Sequence, residues 1–74
     1  LKMSPSTPLN SAIHIIIKSL SGQIIYNNYF DPNQLTQYNG SYYKKINLSN
    51  FSRGIYVIST RSGKFITQEK LILK

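Results

Sequence analysis

The chain has 74 residues, no cysteine, and nine Lys and Arg against two acids, Asp31 and Glu69, for a net charge of +7. That length holds one domain and not two, and a domain this small buries only about 60% of its unfolded surface. Disulfide staples and thiolate metal centres are excluded, and the charge favours anionic partners such as nucleic acid, phospholipid or lipopolysaccharide.

Residues 1–11 are rich in Ser, Thr, Pro and Asn, including Ser4-Pro5 and Thr7-Pro8. They read as a linker or loosely held N-terminal arm ahead of a domain at 12–74. Pro5 and Pro8 stand where a secretory signal needs its apolar core, so the segment is not one. Met3 is preceded by two residues, and the chain is therefore expected to be a piece of a longer or processed protein.

The first predicted strand is Ala12–Ser19, with Ile13, Ile15 and Ile17 on one face and His14 and Lys18 on the other. Ser21-Gly22 is a turn signal. It leads into a second strand from Gln23 to about Asn28, so the two form a hairpin. Asp31-Pro32-Asn33 breaks the pairing, and Asn39-Gly40-Ser41 marks another turn. The third strand is expected at Tyr42–Leu48. Ser49–Gly54 is a connection in which Phe51 plugs the core. The fourth strand is Ile55–Arg61, and Ser62-Gly63 turns it into the fifth, Phe65–Leu73. Ile, Tyr, Asn and Ser dominate throughout, and these favour strands and turns over helices. The pattern predicts an all-β chain: a small antiparallel β-sandwich of immunoglobulin-like class, with five to seven strands and no helix longer than about two turns.

No segment reaches the roughly 18 apolar residues of a membrane-spanning helix. The cations Lys2, Lys18, Lys44, Lys45, Arg53, Arg61, Lys64, Lys70 and Lys74 are dispersed, as on a solubilising surface. They give a diffuse field that supports only weak, salt-sensitive and non-specific nucleic-acid binding. Catalytic constellations are not found. His14 is the sole histidine and has no carboxylate near it in sequence, and a carboxylate pair could come only from Asp31 and Glu69. Gly54-Ile55-Tyr56-Val57-Ile58 followed by Gly63-Lys64-Phe65-Ile66 is superficially similar to the first hairpin of GIY-YIG nucleases. Phe65-Ile66-Thr67 does not supply the Tyr-Ile-Gly those enzymes need, and the seven residues after Thr67 leave no room for their helices. The expectation is a chain that is not an enzyme and binds no cofactor or metal.

Two stretches carry a family resemblance. One is Ile15–Tyr26, built around Gly22. The other is Ile46-Asn47-Leu48-Ser49-Asn50-Phe51-Ser52-Arg53-Gly54-Ile55-Tyr56-Val57-Ile58, continuing to Lys70-Leu71-Ile72-Leu73-Lys74. Together they resemble the type A C-terminal sorting domain of the type IX secretion system of Bacteroidota. That family pairs a glycine-centred hairpin with an I-x-L-x-x-L-x-x-G-I-Y stretch and closes on a Lys-rich apolar strand. The resemblance covers about residues 13–74. It departs from the family in two places: Ser19 stands where members often carry Asp, and no Tyr-Pro-Asn-Pro stretch with an upstream strand is recognisable. A missing first strand leaves an unpaired sheet edge. Together with the weakly charged stretch Ile13–Ile17, that predicts a weak homodimer.

The resemblance implies a non-catalytic signal that routes a larger parent protein through the outer-membrane translocon. The parent crosses the periplasm in transit and ends at the cell surface or in the medium. A sortase-like peptidase then removes the domain, and the parent is released or attached to lipopolysaccharide. The signal residues it implies are Gly22, Gly54, Tyr56 and the terminal Lys70, Leu71, Ile72, Leu73 and Lys74. The residues themselves also allow structural roles. Gly22 and Gly54 suit tight backbone positions, and Tyr56 suits a buried ring with a bonded hydroxyl. Two other readings stay open. Tyr residues at 38–43 suit a surface carbohydrate-binding or adhesion module. Tyr26, Tyr29, Phe30, Tyr38, Tyr42 and Tyr43 suit a single-stranded nucleic-acid-binding β-barrel, although residues 26–43 contain no Lys or Arg.

Overall fold

A computed structural model describes residues 1–6 and 8–74; Thr7, within the expected arm, lies outside the described residues. The described residues form seven strands: β1 Lys2–Met3, β2 Ile13–Ser19, β3 Ile24–Phe30, β4 Thr36–Tyr38, β5 Ser41–Tyr43, β6 Gly54–Ser62 and β7 Phe65–Leu73. A three-residue 3₁₀ turn, Pro32–Gln34, is the only helical element among the described residues. The strands make a three-stranded sheet in the order β1-β5-β4 and a four-stranded sheet in the order β3-β2-β6-β7, with every pairing antiparallel. This is the antiparallel sandwich that the patterning predicts, and its strand count lies within the predicted range.

The core lies on the inner face of the four-stranded sheet. Ile13, Ile15 and Ile17 have no exposed surface, and Met3, Leu35, Tyr42, Tyr56 and Ile58 are buried with them. The β2 alternation produces this directly. One face of the strand is continuous isoleucine, whose branched side chains suit a pleated surface packed against a second layer. Fully burying one such side chain contributes roughly 1.5–3 kcal/mol, so the three isoleucines are a large part of the driving force.

Four sequence expectations are corrected. First, the segment expected as a loose arm supplies a strand and a core residue: Met3 is 2% exposed, and Lys2–Met3 pair with Tyr43 and Tyr42. The Leu9 amide donates to the Tyr42 hydroxyl, and the Ser62 hydroxyl donates to the Ser11 carbonyl, so both halves of the segment are tied to the sandwich. Second, an upstream strand is present rather than missing. Third, Ile13–Ile17 offers no free edge, because β2 is bonded on both sides, to β3 and to β6. The homodimer expectation loses the stretch on which it rested. Fourth, the third predicted strand is short. Ser41–Tyr43 pair with β1 and β4, and the Lys44 amide still donates to the Leu1 carbonyl, but Lys45–Leu48 have no strand beside them. Extended backbone without a partner is not a strand, however well its side chains alternate. Ile46, Leu48 and Phe51 nonetheless pack on the core, with Phe51 half-buried as expected.

Candidate functional site

Two hairpins and one loop meet at one end of the four-stranded sheet. The β2–β3 hairpin turns through Ser19–Gly22, where the Gly22 amide donates to the Ser19 carbonyl and the Ser19 amide donates to the Gln23 carbonyl, both at 2.9 Å. Gly22 has φ +90°, a region that side-chain-bearing residues rarely adopt. Ser19, at the position where the resemblance leads one to look for Asp, supports the turn through its side chain. Its hydroxyl accepts from the Gln23 amide at 3.3 Å and pairs with the Ser21 hydroxyl at 2.9 Å. Just past the turn, β3 carries a bulge: Ile17 stands opposite Tyr26 and Lys18 opposite Ile24, leaving Ile25 as the extra residue.

Ser19 faces Tyr56 across the β2–β6 ladder, which places the Gly22 turn beside the start of β6. Gly54 opens that strand with φ +150°, and no atom lies within 4 Å of where a Cβ would sit. The requirement for glycine there is conformational, not steric. Tyr56 is buried, its hydroxyl donates to the Ser52 carbonyl at 2.6 Å, and its ring lies 5.7 Å from Phe51 in a tilted arrangement. The loop 49–53 is thereby pinned against the strand that it feeds.

The terminal strand completes this end. Leu73 pairs with Gly54, Ile72 with Ile55, Leu71 with Tyr56 and Lys70 with Val57. Leu71 and Leu73 pack inward on the core, Lys70 and Ile72 face outward, and Lys74 is exposed just past the strand. The fold thus brings Gly22, Gly54, Tyr56 and Lys70–Lys74 to one end, although more than 50 residues separate the first of these from the last. An open groove of about 650 Å³ lies beside Tyr56, lined also by Ser19, Ile24, Ile25, Phe51 and Ser52, and does not reach Gly22, Gly54 or Lys70–Lys74. At this end of the sheet Leu20, Ile24 and Ile72 expose 70%, 50% and 52% of their surface. Sequence reasoning did not single out Leu20 or Ile24. The signal was available in Leu20, an apolar residue inside a turn whose neighbours are polar.

The aromatic residues of 26–43 lie in different surroundings. Tyr42 is buried, the Lys44 ammonium sits 4.4 Å from the Phe30 ring centroid, and Lys2 lies 5.9 Å from that of Tyr43. Tyr26 is half-buried against the core. The Tyr29 ring is stacked on His14 at 4.1 Å and 7°, with His14 Nε2 2.6 Å from Asn27 Oδ1. A cation or a neighbour thus lies against one side of the Phe30, Tyr43 and Tyr29 rings, while Tyr29 remains 66% exposed. Tyr38, 67% exposed, stands without such cover. Among the described residues, no group of three His, Asp or Glu side chains is placed to hold a metal ion, and none of the helices is long and apolar enough to cross a membrane.

Neither a curated protein nor a solved structure matches the chain. A family model described as the secretion system C-terminal sorting domain matches residues 2–74, from β1 through the last residue. That span takes in the hairpin, the start of β6 and the terminal strand, so the resemblance read from the two motifs extends over the whole fold. Domains of this kind are signals for type IX secretion, act in general without catalysis, and belong to parent proteins that are secreted or held at the cell surface. On that match, carried by a seven-stranded sandwich whose terminal strand packs beside the glycine hairpin, the chain belongs to the secretion system C-terminal sorting domain family.

Proposed function

We propose that the folded end formed by the Gly22 hairpin, Gly54, Tyr56 and Lys70–Lys74 is the part of the domain that the type IX translocon reads. The observation that carries this reading is their meeting at one end of the sheet, through the pairings Ser19 to Tyr56, Tyr56 to Leu71 and Gly54 to Leu73. A translocon that handles many cargoes cannot read each cargo, so it must read a portable folded tag. Gly22, Gly54, Tyr56, Leu71 and Leu73 act by holding the shape, and Lys70, Ile72 and Lys74 supply the exposed terminal feature. The parent protein crosses the periplasm, passes the outer membrane, and is processed at the surface by a sortase-like peptidase that separates it from this domain. It is then released or joined to lipopolysaccharide.

The test is a periplasmically exported reporter fused to the domain in a type IX host, with and without Lys70–Lys74. Deletion should abolish export, because it removes the terminal feature and unpairs Gly54–Val57. Unchanged, translocon-dependent export of the deletion would contradict the assignment of these residues.

A further inference from the structure

The two sheets present four edges, and three of them are blunted. β1 has two residues and β4 three, while β3 is broken by the bulge at Ile25. Short or bulged edges are poor templates for a further strand. β7 is different: it runs nine residues without a proline, a bulge or a register shift, and its outer side pairs with no element among the described residues.

The hydrogen-bonding direction of β7 follows from its hairpin. Two residues, Gly63 and Lys64, separate Ser62 from its partner Phe65. A pair flanking a two-residue loop exchanges both of its backbone hydrogen bonds, and the pattern then alternates along the ladder. Phe65, Thr67, Glu69, Leu71 and Leu73 therefore bond to β6. Ile66, Gln68, Lys70 and Ile72 aim their N–H and C=O groups away from the sheet. The same four residues project their side chains onto the outer face, where Ile66 is 58% and Ile72 52% exposed. The edge thus offers four outward pairs of backbone groups beside an apolar–polar–basic–apolar row.

A second copy of this chain is a poor occupant. Antiparallel self-pairing through this edge that keeps the outer faces together sets even residues opposite even ones and odd opposite odd. Lys70 can then never stand opposite Glu69. Centred on Lys70 the pairing opposes two lysines, and centred on Glu69 it opposes two glutamates, both of which are unfavourable; centred on Gln68 or on Leu71 it opposes no like charges, but Lys70 then faces Ile66 or Ile72 and gains no carboxylate. The occupant that fits is a strand of a different protein, with a carboxylate opposite Lys70 and apolar side chains near Ile66 and Ile72. Resting on the sorting reading above, we infer that the type IX machinery holds this domain by adding such a strand to the free edge of β7.

The test follows single-amide hydrogen exchange in the 74-residue chain, alone and with detergent-solubilised outer-membrane translocon from a type IX host. On binding, the Gln68 and Lys70 amides should slow at least tenfold, while those of Thr67 and Glu69, already bonded to β6, should change little. Export of a reporter fusion provides the second arm. Gln68→Pro removes an outward donor but none that β6 uses, so it should lose most export, whereas Gln68→Ala should keep it. Translocon binding without slowing at Gln68 and Lys70, or wild-type export of Gln68→Pro, would overturn the edge inference and leave the sorting reading standing. No binding and no export of the unaltered domain would overturn both. Slowing that follows the chain's own concentration without translocon would assign the edge to a second copy and overturn the inference.

Discussion

The Tyr56 hydroxyl donates a 2.6 Å hydrogen bond to the carbonyl oxygen of Ser52, four residues earlier in the chain. This bond fastens the loop 49–53 to the strand that follows it, while the buried ring packs on Phe51 and faces Leu71. Tyr56→Phe keeps the ring and loses the bond. Ser52 is exposed and water can replace the lost donor, so the cost should be about 1 kcal/mol. In a domain of this size that lowers the melting temperature by roughly 4–8 °C. Tyr56→Ala should cost about 3–5 kcal/mol, a large share of a stability that scales as roughly 0.05–0.15 kcal/mol per residue. Urea denaturation of the two variants separates ring from hydroxyl. Equal losses would show that the bond, not the packing, holds this end.

Gly54 separates conformational from steric demand. Its φ of +150° disfavours an L side chain, yet a Cβ there would meet nothing within 4 Å. Gly54→Ala and Gly54→Val should therefore destabilise by similar amounts, of order 1–3 kcal/mol. A D-alanine introduced at the same position by chemical ligation has its preferred sign of φ there and should be tolerated. Thermal melts that rank D-alanine with L-alanine would show that the cost is not backbone strain.

Met3→Ala tests whether the N-terminal segment belongs to the fold. A methionine at 2% exposure in the core should cost about 2–5 kcal/mol when truncated. Chemical denaturation would detect it, and a change below about 0.5 kcal/mol would return residues 1–3 to the status of an arm.

Thr60 is 1% exposed, and its Oγ1 has no hydrogen-bond partner among the described residues. Leaving such a group unpaired in a core costs about 1–3 kcal/mol. Thr60→Val keeps the shape and removes the orphan, so it should raise stability by about 1 kcal/mol. A destabilised Thr60→Val would mean that the hydroxyl is satisfied by a buried water.

Much of the fold could be read from the sequence where pattern and pairing are local. Ile13-His14-Ile15-Ile16-Ile17 declares its buried face by alternation, and the turns read at Ser21-Gly22 and Ser62-Gly63 lie between strands adjacent in sequence, the second falling one residue later, at Gly63-Lys64. What escaped depends on distant partners. Two residues, Lys2-Met3, are too few to show a period, and Met3 is buried only because β5 arrives some forty residues later. Thr36-Gln37-Tyr38 is fully exposed and has no apolar face; its strand exists because the Asn39-Gly40 turn folds it back on β5. Lys45–Leu48 shows the reverse, an alternating pattern without a neighbour. The family resemblance implied which residues matter, but their grouping at the sheet end could not be derived from it or from spacing, since Gly22 meets β6 only through the non-local β2–β6 pairing.

The most direct measurement is the location of a reporter carrying this 74-residue domain at its C-terminus, in a type IX host and in the same host lacking the outer-membrane translocon. The account predicts reporter at the cell surface or in the medium in the first host and periplasmic retention in the second. Equal export from both hosts, or retention in both despite a folded domain, would contradict it.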